Sequence, residues 1–537
     1  RYGGTHLPRR PGNTQPSQGA PRTRAAPSTS PARNPRRSRR PEPPKAIPPT
    51  NPPLDTTYPQ APHPMPKKPT KPASAEKTSK RSVKPPAIEG ASGNQLTLSN
   101  AGPLQMGFWV PNRVWATAKY LQPLRDHLAV KRKAGTLTPM TPVMLSFKAW
   151  VTANAVYRMW VNSMIEQSNA YVRSLDKDTR KEIKADGDAL WIEGYDAFFE
   201  LLNEIITTSP AFNTTVMVGT PMNGLLAVAM ATEAGLALFH DATFNAQFQT
   251  VLNAWNSFLK SPASLDKLDI YDPEKPGSWI SKAAKDAGVW DQMVHDPKAP
   301  GYGYNSWNAF FIRQFVPGAR PFKGSPEFDI NIGCETTPWM YQNHVALESD
   351  FWIKDVNYSL LDLFAGQEQW ARLFEGGQLY QGFLSATHYH RWRAPLDGTI
   401  VRSWRQPGTY FAQKPGQGEN QGTWEGTESQ PYLGHVAARA IFIFKHPTCG
   451  YVALICIGMV EVSTCVIEPQ YIVDETMSPV GINRDTEIGH FEFGGSTHVM
   501  IFQKDRVKLV DWAVNAVQHQ NDPEPTAMGS VIARAVG

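Results

Sequence analysis

The segment His490–Phe502, HFEFGGSTHVMIF, decides how the second half of the chain is read. Two β-type runs, HFEF and HVMIF, flank Gly494-Gly495-Ser496-Thr497. Glycine accepts backbone angles that a residue with a Cβ resists, so a tight hairpin is the plain reading of the pair. The other reading is a turn that presses the Ser496 hydroxyl toward the Gly495 carbonyl, a backbone bond built to break. The segment alone leaves both open.

Outward from it, further short β-type runs are separated by turn residues: GTIVRSW, GTYFAQ, AIFIF and YVALICIGMV. They predict a mainly β domain over residues 275–537. Helical pieces are expected within it around SWNAFFIRQF (306–315) and LLDLFAGQEQWARLF (360–374). Ahead of it, residues 105–262 have the spacing of helices. In MLSFKAWVTANAVYRMWVNSMI (144–165), Met144, Phe147, Val151, Ala155 and Met159 recur every three or four positions. Residues 190–206, 224–239 and 244–259 continue the pattern. This helical domain holds no cluster of catalytic residue types, so packing or the shaping of a partner surface is its expected role.

Residues 1–95 are of another kind. The first 90 carry 22 of the 47 prolines, with 18 Lys and Arg against 4 Asp and Glu. A segment so poor in apolar side chains cannot offset its chain entropy, and a disordered tail is expected. Its basic runs RNPRRSRR and PMPKKP are suited to contact anionic lipid. Without it the remainder carries 36 basic and 44 acidic groups, which argues against nucleic acid as a partner. The four cysteines form no CxxC pair, so neither a disulfide scaffold nor structural zinc is expected, and no metal site is assigned. The longest apolar run, 451–460, is too short to span a bilayer. No stretch reads as a signal peptide, and a reducing, cytoplasmic setting is expected.

Several segments then resemble one family. FGGST behind Glu487-Ile488-Gly489 resembles the self-processing site of phosphatidylserine decarboxylases. YHRWRAPLDGTI (389–400) is similar to that family's YHRxHxPxxG, and WNAFFIRQFVPGARP (307–321) to its FNxFFxRxLxxxxRP. GYGYNSWNAFF, GFLSATHYHRW, PGTYFAQ and CIGMVEVSTC resemble in particular its soluble fungal, tryptophan decarboxylase-like branch, of the psilocybin-pathway type. The resemblance implies an α+β chain: the disordered tail, the all-helical domain, then a mainly β, barrel-like sandwich as catalytic domain.

It also implies a chemistry. Ser496 would attack the Gly495 carbonyl and the chain would split into a β chain, 1–495, and an α chain, 496–537. The α chain would begin with a pyruvoyl group made from Ser496, with Gly494 and Thr497 beside it. That cofactor would form an imine with the amine of a small-molecule amino-acid substrate and accept electrons as the carboxylate leaves. An aromatic amino acid is the implied substrate. Phosphatidylserine, giving phosphatidylethanolamine, is the alternative, and an uncut, non-catalytic homologue the second alternative.

The family's self-cleavage is helped by an Asp–His–Ser relay. Glu335, in IGCETT, stands where the aspartate is expected, and Arg393 where the base histidine is expected. Arginine stays protonated and makes a poor base. His390, the first histidine of the motif, is the residue the family uses in decarboxylation. His388 and His498 each lie two residues from a key position and are the candidates to replace the missing base. Arg313 and Arg320 are expected to hold structure, Glu461 to meet Arg393 or the substrate amine, and Trp392, Tyr410 and Phe411 to line a pocket or fill the core.

Overall fold

The computed structural model describes residues 114–174, 177, 181, 191–213, 220–349, 358–412, 429–515 and 526–536. The tail expected over 1–95 lies outside them. Among the described residues, no helix is long and apolar enough to cross a membrane.

The helical region is more broken than its periodicity suggests. Instead of one helix over 144–165 there are two, Pro142–Ala153 and Ala155–Ser174. Asn154 between them is extended, and its side-chain oxygen takes the Val156 amide at 3.0 Å, a local bond that competes with the helical ladder. Residues 224–239 likewise divide into Pro221–Leu226, a short turn at Ala229–Ala231 and Glu233–His240, the last capped by Thr232. The helix Ala242–Leu259 is capped by Asp241 and buries Phe244, Phe248, Val251, Leu252, Trp255 and Leu259.

Thirteen strands follow among the described residues: β1 Asp329–Asn331, β2 Thr337–Asn343, β3 Gln378–Leu384, β4 Arg391–Arg393, β5 Gly398–Gln406, β6 Arg439–His446, β7 Gly450–Gly458, β8 Cys465–Ile467, β9 Val480–Ile482, β10 Glu487–Phe491, β11 Ser496–Phe502, β12 Val507–Leu509 and β13 Val531–Ala535. Seven form an antiparallel sheet in the order β2-β3-β11-β7-β6-β5-β9, and two three-stranded sheets have the orders β4-β10-β8 and β1-β13-β12. GTYFAQ, expected as a strand, is not one. Thr409 makes one bridge to Ala437, Asn245 holds the Tyr410 amide, and Phe411 packs on Phe239 and Phe248 of the helices. Packing against the helical layer overrides β propensity there.

Side chains alternate between the faces of the large sheet. Val499 and Ile501 of β11, with Ile455 and Ile457 of β7, face one apolar cluster that runs into the helices. Met500, Phe502, Leu454 and Cys456 face a second cluster shared with Trp392, Ile488 and Ile532 of the small sheets. The result is the α+β architecture expected: a helical layer, a large sheet, and smaller sheets on its far face.

Candidate active site

β10 and β11 do not form a hairpin, so the plain reading of HFEFGGSTHVMIF fails. β10 pairs with β4 and β8, and β11 with β3 and β7. Because β7 leads to β8 as β10 leads to β11, two paired strands pass together from one sheet to another. Gly494 and Gly495 sit at that corner.

Three backbone hydrogen bonds hold the corner: Met459 N–H to Gly495 O at 3.0 Å, Ser463 N–H to Phe493 O at 3.0 Å, and Glu492 N–H to Thr464 O at 2.8 Å. Residues 460–462 form a bulge on the β7–β8 side, with Glu461 at φ 61° and Ser463 at φ 48°. The Ser463 hydroxyl donates to Val460 O and tightens the bulge. Gly494 has φ 156°, and a Cβ there would lie 2.3 Å from Val460 O. This is the close backbone approach for which glycine is needed.

Ser496 opens β11, opposite Leu384 and Gly458, and is fully buried. Its hydroxyl has no hydrogen-bond partner among the described residues. Thr497 points to the other face, where its hydroxyl donates to Gly382 O at 2.7 Å and accepts from Gln381 at 3.0 Å.

The four histidine and arginine candidates are placed differently. His498 shares the face of Ser496, is fully buried, and has both ring nitrogens unpartnered. Gly382 makes room for it: a Cβ there would touch both the His498 ring, at 2.9 Å, and the Thr336 hydroxyl, at 1.7 Å. His388 instead folds back in its own turn, its Nδ1 accepting the Ser385 amide at 3.3 Å. His390 stacks on Phe311, centroids 4.0 Å apart, and its carbonyl accepts the Phe491 amide at 2.8 Å. Phe311 meets Phe493 edge-on at 5.4 Å, so one ring separates His390 from the turn. Arg393 is paired with Asp485 at 2.9 Å and reaches the Tyr389 hydroxyl at 3.3 Å.

Glu335 has partners other than a histidine. Its Oε1 accepts from Arg320 at 2.5 Å and from the Met528 amide at 3.2 Å. Arg313 is buried, and its guanidinium donates to the carbonyls of Val289, Phe310 and Thr387. Both arginines thus hold structure, as expected. Glu461 meets neither Arg393 nor an open site. Its positive φ turns it toward the helices, where it accepts the amides of Asn223 at 2.7 Å and Met222 at 3.3 Å. Burial pushes its carboxyl up to about 8, against the pull of those two donors. Trp392, Tyr410 and Phe411 are all buried; the rings next to the turn are Trp255, Trp307 and Phe311, each against Phe493. Glu468, Glu487 and His490 bring possible ligand atoms within 4.8 Å of one another. Arg391 and Gln314 already occupy the two oxygens of Glu487, so the cluster reads as an ion-pair network.

Burial also lowers the histidine pKa values. His498 falls to about 3 through desolvation, and His388 to about 4 through desolvation and then Arg313. His390 falls well below 6.5 for the same two reasons, with the His388 backbone pulling weakly the other way. The unfolded chain takes up these protons near pH 6.5 while the folded chain does not, so stability falls as pH drops below 6.5. The urea midpoint is expected to decline as pH drops from 6.5 to 4.5, where the three histidines outweigh the opposite contribution of Glu461, and to decline also between pH 7 and 8 as the Glu461 carboxyl gives up its proton. A flat midpoint across the lower range would contradict the burial of these rings.

The pattern of the phosphatidylserine decarboxylase family matches residues 307–534, and a second pattern of that description matches 141–287. The decarboxylase iboD of Amanita muscaria is 34% identical over 304 residues, 53% of this chain and 84% of that protein. The L-tryptophan decarboxylase of Psilocybe cubensis is 32% identical over 343 residues, 59% of this chain and 75% of that one. A phosphatidylserine decarboxylase proenzyme of Pasteurella multocida is 28% identical over 43% of this chain and 75% of its own length. Corner, serine and matches agree: the chain belongs to the phosphatidylserine decarboxylase family and is a carboxy-lyase.

Proposed function

We propose that the chain cuts itself between Gly495 and Ser496 and then acts as a pyruvoyl-dependent decarboxylase of a free aromatic amino acid, tryptophan or one like it. The observation that carries this is the buried, unpartnered Ser496 hydroxyl at a sheet corner whose preceding carbonyl is held by the Met459 amide.

The residues fit the group. An unpartnered buried hydroxyl costs about 1–3 kcal/mol, a strain that a reacting atom explains better than a packing role. In the first step Oγ of Ser496 bonds to the Gly495 carbonyl carbon, the carbonyl electrons move onto oxygen, and Met459 N–H stabilises the charge. The C–N bond then breaks and the amine takes the hydroxyl's proton, which leaves an ester. Loss of the Ser496 Cα proton and of the Gly495 carboxylate splits the chain. Water then replaces the nitrogen as ammonia. The pyruvoyl group so formed supplies an electrophilic carbonyl that stores electrons while the substrate's carboxylate departs. Gly494, Gly495 and Thr497 hold its surroundings, and His390, on Phe311, is the residue assigned to proton delivery in decarboxylation.

His498 takes the role of the missing base. It lies on Ser496's face with ring nitrogens that have no hydrogen-bond partner among the described residues, and burial makes it an uncharged but weak proton acceptor that works through proximity, whereas His388 is tied in its turn. His498→Phe keeps the volume and removes the base, and the self-cleavage rate is expected to fall by about 10²–10⁴. A wild-type rate by time-resolved intact mass would remove His498 from the mechanism.

An aromatic substrate is supported by the rings of Trp307, Phe311 and Phe493 beside the turn, and by the L-tryptophan decarboxylase among the relatives. Intact mass of the purified protein tests the cleavage. Two chains, 1–495 and 496–537, the second short of an amino group, are expected. A chain uncut after days would refute the reading. Release of carbon dioxide from L-tryptophan against dispersed phosphatidylserine then decides the substrate.

A further inference from the structure

The helical region has no catalytic cluster of its own, yet it reaches the corner at three points. The Met222 and Asn223 amides hold Glu461, at the centre of the bulge that presents Met459 N–H to Gly495. Asn256 donates to Glu492 at 2.5 Å, and Lys260 pairs with the other oxygen of that carboxylate. Trp255 stands edge-on to Phe493 at 5.2 Å. Glu461 is fully buried and Glu492 nearly so. A buried carboxyl group is costly unless hydrogen-bonded, so each fixes the backbone that carries it to the helices.

We infer that the helical region is a clamp for self-processing, with Glu461 and Glu492 as positioning residues. Glu461 fixes the loop that carries the amide donor, and Glu492 fixes the segment between β10 and β11 that carries the attacked carbonyl. Both sides of the Gly495 carbonyl are thereby registered against one rigid layer. The inference rests on cleavage at Gly495–Ser496, and it assigns to the helices a part in that step rather than in substrate binding.

The geometry matters because Met459 N–H must meet the oxygen as charge develops on it. A misplacement of about 1 Å can cost about 10² in rate. A defect here acts before the ester forms. That is distinguishable from a later defect, because mild neutral hydroxylamine cleaves an ester after Gly495, and any cut at the Asn223-Gly224 peptide bond gives fragments of different mass.

The test is Glu461→Ala in the full chain, followed by intact mass over time, with and without hydroxylamine, and by thermal melting. Glu461→Gln keeps the volume and one acceptor oxygen. The alanine variant is expected to melt cooperatively, to cleave at least tenfold more slowly, and to gain nothing from hydroxylamine. The glutamine variant is expected to recover part of the rate. If the alanine variant fails to melt cooperatively, the glutamine variant decides alone: a rate clearly below wild type supports the clamp, and a wild-type rate overturns it. Wild-type cleavage by a folded alanine variant, or release by hydroxylamine of a fragment ending at Gly495, would also overturn it while leaving the cleavage site standing. An uncut wild-type chain would sink the cleavage reading and the clamp with it.

Discussion

Ser496→Ala is expected to yield one uncut chain of 537 residues that folds normally and decarboxylates nothing. The residue opens a strand paired on both sides, and alanine preserves those pairings because they involve only backbone. What is lost is a hydroxyl with no hydrogen-bond partner among the described residues. Removing such a group relieves a desolvation cost of about 1–3 kcal/mol, so the melting temperature is expected to be no lower than that of the wild type. Total loss of activity with no loss of stability is the signature of a reacting atom. Intact mass, melting and a carbon dioxide assay read it in one preparation. A variant that is still cut after Gly495, or still active, would place the chemistry elsewhere.

The second large effect is expected from Gly494→Ala. The new methyl would lie 2.3 Å from Val460 O and 3.1 Å from the Ser463 amide, at a φ of 156° that alanine avoids. Neither neighbour gives way cheaply. Val460 O already accepts the Ser463 hydroxyl, and the Ser463 amide already serves Phe493 O. The methyl must therefore push the two crossing strands apart. Overpacking of this kind costs about 1–3 kcal/mol, which a chain of this size tolerates. The larger consequence is that Met459 N–H and the Gly495 carbonyl separate, and self-cleavage is expected to slow by about 10² or more. Gly481→Ala, where a Cβ meets nothing within 4 Å, is the control and is expected to process normally. Equal cleavage rates in the two variants would show that the close approach at Gly494 is irrelevant.

How legible this was in the sequence depends on the range of the forces involved. The strand HVMIF and the helix Ala242–Leu259 followed from local pattern, although β11 begins two residues earlier than that run, at Ser496. The break at Asn154 did not, because one side-chain bond to the next turn outweighed a continuous apolar stripe. The absence of a β10–β11 hairpin was hidden for a different reason. Strand runs and glycines specify a reversal of direction, but the choice of partner strands is made by contacts far along the chain. Met459 could not be singled out, since its contribution is a backbone amide. Glu461 was visible as a charge in an apolar run, but a sequence does not reveal that a positive φ would aim it at Met222 and Asn223. The ranking of His498 over His388 likewise needed the turn that captures the His388 ring.

The position of β11 has a consequence for how the mature protein can arise. The strand lies in the interior of the large sheet, hydrogen-bonded on one side to β3 and on the other to β7. β13, in the same C-terminal stretch, lies between β1 and β12. The proposed scission at Gly495 would therefore remove a covalent bond without exposing a sheet edge, and the shorter piece would remain woven through the longer one. Two polypeptides made separately would face a different problem, because a slot between two strands closes on itself when it is empty. The proposed two-chain protein would thus be the product of a history, reachable by folding first and cutting afterward, but not by mixing finished parts.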